Sequence, residues 1–235
     1  MRRGPMSRSQ FLVLVSSLVY CVAVPAAADP TREWPQKVKK SAALLKAGEY
    51  DQSLRITDRI ISEMVDLLGP GDGSMQSFGI VLTHKALANA GLGRFDDALW
   101  YWHIVLGLYP GLATADLSAY GAAGKFLKDN FLSPPTEPRP TQNDPDISPA
   151  VPLRTRKPQF PRGAQAFGVE GHLIVDVVIT PAGTVTYPRI LKSLPVPTLS
   201  YVALEALRKW RFEPARKNGE PIASIFNLTV NYTLR

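Results

Sequence analysis

Between Leu199 and Leu234 the hydrophobic period changes from that of a helix to that of a strand, and this change limits the folds open to the chain. Leu199, Val202, Ala203, Ala206, Leu207 and Trp210 recur at helical spacing and predict one buried helix face from about Ser200. Arg208, Lys209 and Arg211 fall off that stripe, at the end of a helix where the backbone dipole favours cations. Pro214 cannot continue a helix. Lys217-Asn218-Gly219-Glu220 reads as a tight turn, because Asn and Gly accept positive φ. Beyond it Ile222, Ser224, Phe226, Leu228, Val230, Tyr232 and Leu234 face one way, and Ala223, Ile225, Asn227, Thr229, Asn231 and Thr233 the other. That is a long strand with one buried face. Trp210, Arg211, Phe212 and Pro214 close the helix and hand the chain to this strand, with Trp210 expected as the apolar plug between helix and sheet.

Upstream, Leu173, Val175, Val177 and Ile179 predict the inward face of another strand, opened by Gly171, with His172 and Asp176 opposite. Thr180-Pro181-Ala182-Gly183 is a hairpin turn, and a second strand over about 184–192 contains Pro188, a mark of an edge or a bulge. The hairpin is antiparallel and the helix carries the chain back. The last strand then lies beside the first, giving spatial order 2-1-3 and making the last strand an edge. Residues 222–234 hold no Lys, Arg, Pro or acid to blunt that edge, which favours strand addition by a peptide or a second copy.

Residues 33–130 read as helical, with Gly48-Glu49-Tyr50-Asp51 and Gly93-Arg94-Phe95-Asp96 as matching turns between helices. The two copies resemble tetratricopeptide repeats, and the turn-rich run Gly69-Pro70-Gly71-Asp72-Gly73-Ser74 accounts for a spacing longer than the usual period. A third helix over about 112–130 would cap the stack. The small and aromatic positions serve helix packing; a concave partner groove is the alternative reading. Residues 133–161 contain nine prolines and read as a semi-rigid spacer that separates the helical module from the C-terminal one.

Residues 1–28 have the form of an export signal: Arg2, Arg3 and Arg8, an apolar run from Phe11 to Val24, then Ala26-Ala27-Ala28 before Asp29. The apolar run falls short of the roughly 20 residues of an ordinary membrane span. Cleavage predicts a periplasmic protein; retention would make an inner-membrane anchor. Cys21, the single cysteine, lies inside the apolar run, so the mature chain has no disulfide and no catalytic thiol. Charge is uneven: residues 29–149 hold 12 Lys/Arg and 15 Asp/Glu, residues 150–235 hold 12 and 5. The basic C-terminal part can meet anionic surfaces or partners, and nucleic acid is an improbable one for an exported chain. No HExxH, GxSxG or P-loop occurs, and His84, His103 and His172 are scattered. The reading is therefore a non-enzymatic protein without cofactor or metal, associated with a membrane only through an uncleaved N-terminus.

Pro158-Gln159-Phe160-Pro161, Gly168-Val169-Glu170-Gly171, the Pro-Ala-Gly turn, Lys209-Trp210-Arg211-Phe212-Glu213-Pro214-Ala215 and Asn218-Gly219 together resemble the TonB C-terminal domain family over about residues 152–235. The resemblance implies a periplasmic domain that binds the extended "box" peptide of outer-membrane receptors by strand addition. Those receptors import iron complexes, vitamin B12 or other nutrients with energy from an inner-membrane proton motor. On this chain it implies partner contacts at Gln159, Phe160, Asn227, Thr229, Val230 and Asn231, with Trp210, Arg211, Phe212, Pro214, Gly171 and Gly219 as structural positions. The chain departs from the family in three ways: no histidine in residues 11–24, a short spacer, and an added helical module. The expected architecture is α+β: residues 1–28 a signal, 29–132 tetratricopeptide-like hairpins, 133–151 a linker, and 152–235 a β-β-α-β domain with a three-stranded antiparallel sheet. The expected function is support of transport across the outer membrane through a receptor or envelope partner. The alternative is a scaffold that self-associates, as a homodimer, through the edge strand without energy transduction.

Overall fold

The computed structural model describes residues 30–67, 69, 75–130 and 146–233. The export-signal reading and most of the linker reading fall outside the described residues. The chain is α+β. Four long helices come first, α1 Trp34–Lys46, α2 Tyr50–Leu67, α3 Met75–Gly91 and α4 Phe95–Leu108, followed after two short 3-10 turns by α5 Gly121–Asp129. The C-terminal part runs β1 Ile147–Ser148, β2 Val151–Arg154, α6 Arg162–Ala166, β3 Gly171–Ile179, β4 Val185–Lys192, α7 Pro197–Leu207, β5 Arg211–Glu213, β6 Ala215–Lys217, β7 Glu220–Ile222 and β8 Ser224–Tyr232.

The two helical hairpins turn in the same way. At the first, Glu49 N donates to Leu44 O and Gly48 N to Leu45 O; at the second, Arg94 N donates to Asn89 O and Gly93 N to Ala90 O. Gly48 and Gly93 have φ of 78° and 71°. This is the Schellman cap, in which glycine takes the left-handed position that costs other residues their Cβ contacts. The matching Gly-x-aromatic-Asp runs therefore record a helix stop followed by the next helix start. Helix α3 sits at the centre of the module. Its buried residues, from Phe78 to Ala90, lie on every side of it, as expected of a helix enclosed by neighbours.

That enclosure traps a polar cluster. His84 is 4% exposed. Its Nδ1 lies 3.1 Å from Ser41 Oγ, which in turn lies 2.9 Å from Ser53 Oγ. Burial pushes the His84 pKa down to about 4, since the apolar surroundings penalise imidazolium.

In the C-terminal part the principal sheet has the order β4-β3-β8, the predicted 2-1-3 arrangement. Strands β3 and β8 pair antiparallel without interruption from Gly171↔Tyr232 to Ile179↔Ser224. Leu173, Val175, Val177 and Ile179, with Val230 opposite, join Leu199, Ala203 and Leu207 of α7 in one core. Strand β4 carries register shifts around its proline.

The helix reading needs correction at both ends. Helix α7 begins at Pro197, where proline suits the first turn, and stops at Leu207. Residues 211–213 are strand β5, not helix. Phe212 N donates to Gly183 O at 2.9 Å, and a Cβ on Gly183 would collide with Phe212 O. This long-range backbone contact overrides a helical period that runs on to Trp210. The core position at the helix–sheet junction is accordingly Phe212, 3% exposed, with its ring 5.1 Å from Phe226. Trp210 is only half-buried and packs at the rim, donating from Nε1 to Arg156 O at 2.9 Å. Strands β6 and β7 form the Asn-Gly hairpin, with φ of 52° at Asn218 and 87° at Gly219. Residues 147–148, at the end of the predicted linker, already pair with β6, and β2 pairs with β5.

The two modules pack together rather than standing apart across a spacer. Phe78 of α3 meets Tyr201 of α7 edge-on at 5.6 Å. Trp100 Nε1 donates to Glu205 at 3.1 Å. The Arg208 guanidinium lies 5.2 Å from the Trp100 ring and 5.7 Å from the Tyr101 ring while pairing with Asp97.

Two measurements check this description. Phe212→Ala is expected to cost about 3–5 kcal/mol in chemical unfolding, and Trp210→Ala about half as much; an equal or larger loss at Trp210 would return it to the core. The unfolded chain binds a proton at His84 near its ordinary pKa while the folded chain resists until about pH 4. Stability is therefore complete above about pH 6.5 and falls on acidification by about 1.4 kcal/mol per pH unit. Unfolding of wild type and His84→Gln across pH 4 to 7 should show a shallower slope in the variant, where His103, its pKa also pushed down by burial, remains.

Candidate functional site

The candidate site is the outer margin of β8. Among the described residues β8 pairs with β3 alone, so one of its two hydrogen-bonding sides has no strand beside it. In a strand every second residue directs its N–H and C=O to the same margin. A nine-residue strand therefore offers a row of donors and acceptors along one side. Proteins usually interrupt such a row with lysine, proline or a bulge. Here β8 has regular register throughout and none of those residues.

Its side chains divide by face. Asn227, Thr229 and Asn231 are exposed on the face away from α7. Val230 points the other way and is 9% exposed in the core, so its side chain is a structural residue and only its backbone can meet a partner. Phe160 packs edge-on against Tyr232 at 5.3 Å, which brings the Gln159-Phe160 segment to one end of the strand, with Gln159 exposed. Asn227 lies farther along the strand, five residues from Tyr232.

Two features hold this margin in place that the sequence reading did not assign. Asp176, 3% exposed at the centre of β3, accepts from Asn227 Nδ2 on β8 at 2.9 Å and from Arg189 on β4 at 2.6 Å. One buried carboxylate thus ties all three strands together, in a charge-assisted pair that is stronger than a neutral one. Its signal in the sequence was a lone acid inside an apolar run. The second feature is α4, which lies along β4. His103 meets Tyr187 ring to ring at 5.2 Å, and a Cβ placed on Gly107 would lie 3.0 Å from Ile190. Asp96, Leu99 and Trp100 face Val185, Thr186 and Arg208 across a small cleft. The helical module thus flanks the sheet on the β4 side and leaves the β8 side open.

No group of three or more His, Cys, Asp or Glu able to hold a metal occurs among the described residues. No helix among them is long and apolar enough to cross a membrane.

Residues 156–234 match the family model described as the Gram-negative bacterial TonB protein C-terminal. This segment is a TonB C-terminal domain. Protein TonB of Pseudomonas aeruginosa is 35% identical over 114 residues, covering 48% of this chain and 29% of that protein. Protein TonB of Xanthomonas campestris pv. campestris strain B100 is 31% identical over 108 residues, 45% of this chain and 48% of that one. Protein TonB of Escherichia coli K12 is 33% identical over 73 residues, 31% and 30% of the two chains. The solution NMR structure of the Pseudomonas aeruginosa TonB CTD is 35% identical and covers 40% of this chain and 92% of that one, with a TM-score of 0.33. The chain thus spans between about a third and a half of the length of these curated relatives. The TonB-type segment begins after β2, so β1, β2 and the helical module lie outside the matched region.

The packing of α4 on β4 generates a prediction. Gly107→Leu should force α4 off Ile190 and cost about 1–3 kcal/mol, as overpacking does. Hydrogen exchange should then quicken along residues 185–192 while β3 stays protected. Unchanged exchange in β4 would show that α4 does not shield it.

Proposed function

We infer that this chain is an envelope protein whose TonB-type domain captures an extended peptide as an added strand beside β8. The observation that supports this most directly is the regular, uncharged β8 margin with no strand beside it among the described residues. The peptide is an outer-membrane receptor segment or that of another envelope protein, and the role is support of TonB-dependent transport across the outer membrane. Main-chain bonds along the margin supply affinity, and the alternate exposed residues Asn227, Thr229 and Asn231 supply selectivity. Gln159 and Phe160 meet the peptide where it passes the Tyr232 end.

Removal of residues 1–28 as an export signal supports a periplasmic location in this reading. Residues 29–132 are read as tetratricopeptide-like hairpins. Because α4 flanks β4, this module directs strand addition to β8. The protein performs no catalysis in this reading and couples to energy transduction only through its partners.

Amide hydrogen exchange with and without a synthetic receptor box peptide tests the proposal. Alternate amides of residues 224–232, those directed to the open margin, should gain at least about tenfold protection, as backbone pairing gives. Protection confined to another surface would overturn the strand-addition reading. A stable dimer with these amides already protected and indifferent to peptide would replace it with the self-associating scaffold.

A further inference from the structure

Around the β2–β5 ribbon of the C-terminal part, cations gather without acids to balance them. Strand β2 places Arg154 directly opposite Arg211 of β5. Like charges in register weaken a strand pair, and nothing in the packing requires them. Arg156 is fixed beside Trp210 by the bond from the indole Nε1 to its carbonyl. Lys157 and Lys209 complete the group, and all five cations are exposed. Among the described residues none of the five makes an ion pair. Arg211 bonds only to main-chain carbonyls, of Trp210 at 2.7 Å and Arg208 at 3.4 Å. Glu213, opposite Val151, is the acid nearest in the ribbon.

The same ribbon exposes apolar side chains. Leu153 is 68% and Val151 50% exposed, on a two-stranded pair whose other member sends Phe212 into the core. Trp210 stands half-buried at the edge of both features. Cations around protruding aliphatic side chains and an indole match the chemistry of an anionic membrane surface: headgroups take the charges, and the aliphatic tips enter the boundary above the acyl chains. An acidic soluble partner would satisfy the cations but give Val151 and Leu153 no outward role.

We propose that the β2–β5 ribbon, with Val151, Leu153, Arg154, Arg156, Lys157, Lys209 and Arg211, is a docking surface for an anionic lipid bilayer. This site is independent of the strand-addition reading and leaves the β8 margin free.

The test uses the chain from Asp29, which keeps every described residue and removes the apolar N-terminal run. Partition is measured by co-sedimentation with vesicles of phosphatidylglycerol and phosphatidylcholine, and with phosphatidylcholine alone. Binding is expected only to the anionic vesicles and should weaken steeply in added salt. Each cation removed should cost about fivefold, so Arg154→Gln/Arg156→Gln/Lys157→Gln should lose about a hundredfold. Leu153→Ser should weaken binding at every salt concentration. Lys39→Gln/Lys40→Gln, exposed on α1, should change nothing. Equal melting temperatures establish that each variant is folded. No binding by the wild type, equal loss in the α1 variant, or displacement by polyglutamate with Leu153→Ser unaffected would each overturn the bilayer assignment.

Discussion

A three-stranded sheet has two margins, and each exposes backbone groups that must find water, protein or a partner. In this chain the margins are treated differently. At β4 the helical module lies alongside, with His103 against Tyr187 and the flat side of Gly107 against Ile190. At β8 no described strand lies beside the outer margin, and no charge or proline interrupts it. The asymmetry leaves the β8 margin as the side of the sheet with no described element alongside. It depends on the modules staying docked.

The docking rests on a compact set of contacts. Phe78 and Tyr201 supply the apolar part. Around them Arg208 stacks near Trp100 and Tyr101 and pairs with Asp97, while Trp100 donates to Glu205. Lys85 lies 4.3 Å from the Tyr101 ring centre and 2.7 Å from Asp58. Cations over aromatic faces gain more where water is thin than on an open surface. The excess of acids before residue 150 and of bases after it is thus matched locally at Asp97 and Arg208. Arg208 looked like a solvated helix cap in the sequence. In the structure it is one of the residues through which the TonB-type domain holds the helical one.

What the sequence made legible was local. The alternation from Ser224 to Tyr232 marks a half-buried strand because side-chain direction has a period of two, and the hairpin-plus-helix order then leaves that strand at an edge. Gly48 and Gly93 mark helix stops because only the left-handed conformation closes those caps cheaply. What stayed hidden depends on contacts far apart in sequence. The stripe from Leu199 continues to Trp210, yet Phe212 is drawn to Gly183 and the helix ends early. Helix α4 is apolar on most sides, so its pattern does not say whether α3 or β4 is the neighbour. Asp176 counted as an outward residue by period, but its partners Arg189 and Asn227 come from two other strands.

The placement of Asp176 bears on how the open margin remains usable. An edge strand held by one neighbour frays more readily than a central one, and a frayed strand is a poor template for pairing. The regular pairing of β3 with β8 supplies backbone bonds on one side, and the Asp176–Asn227 contact adds a side-chain tie near the middle of the ladder. Arg189 completes the tie from β4, the strand flanked by α4. The strand that α4 flanks and the strand at the open margin are therefore tied to the same buried carboxylate. An edge steadied in this way is ordered on its paired side before anything meets the other.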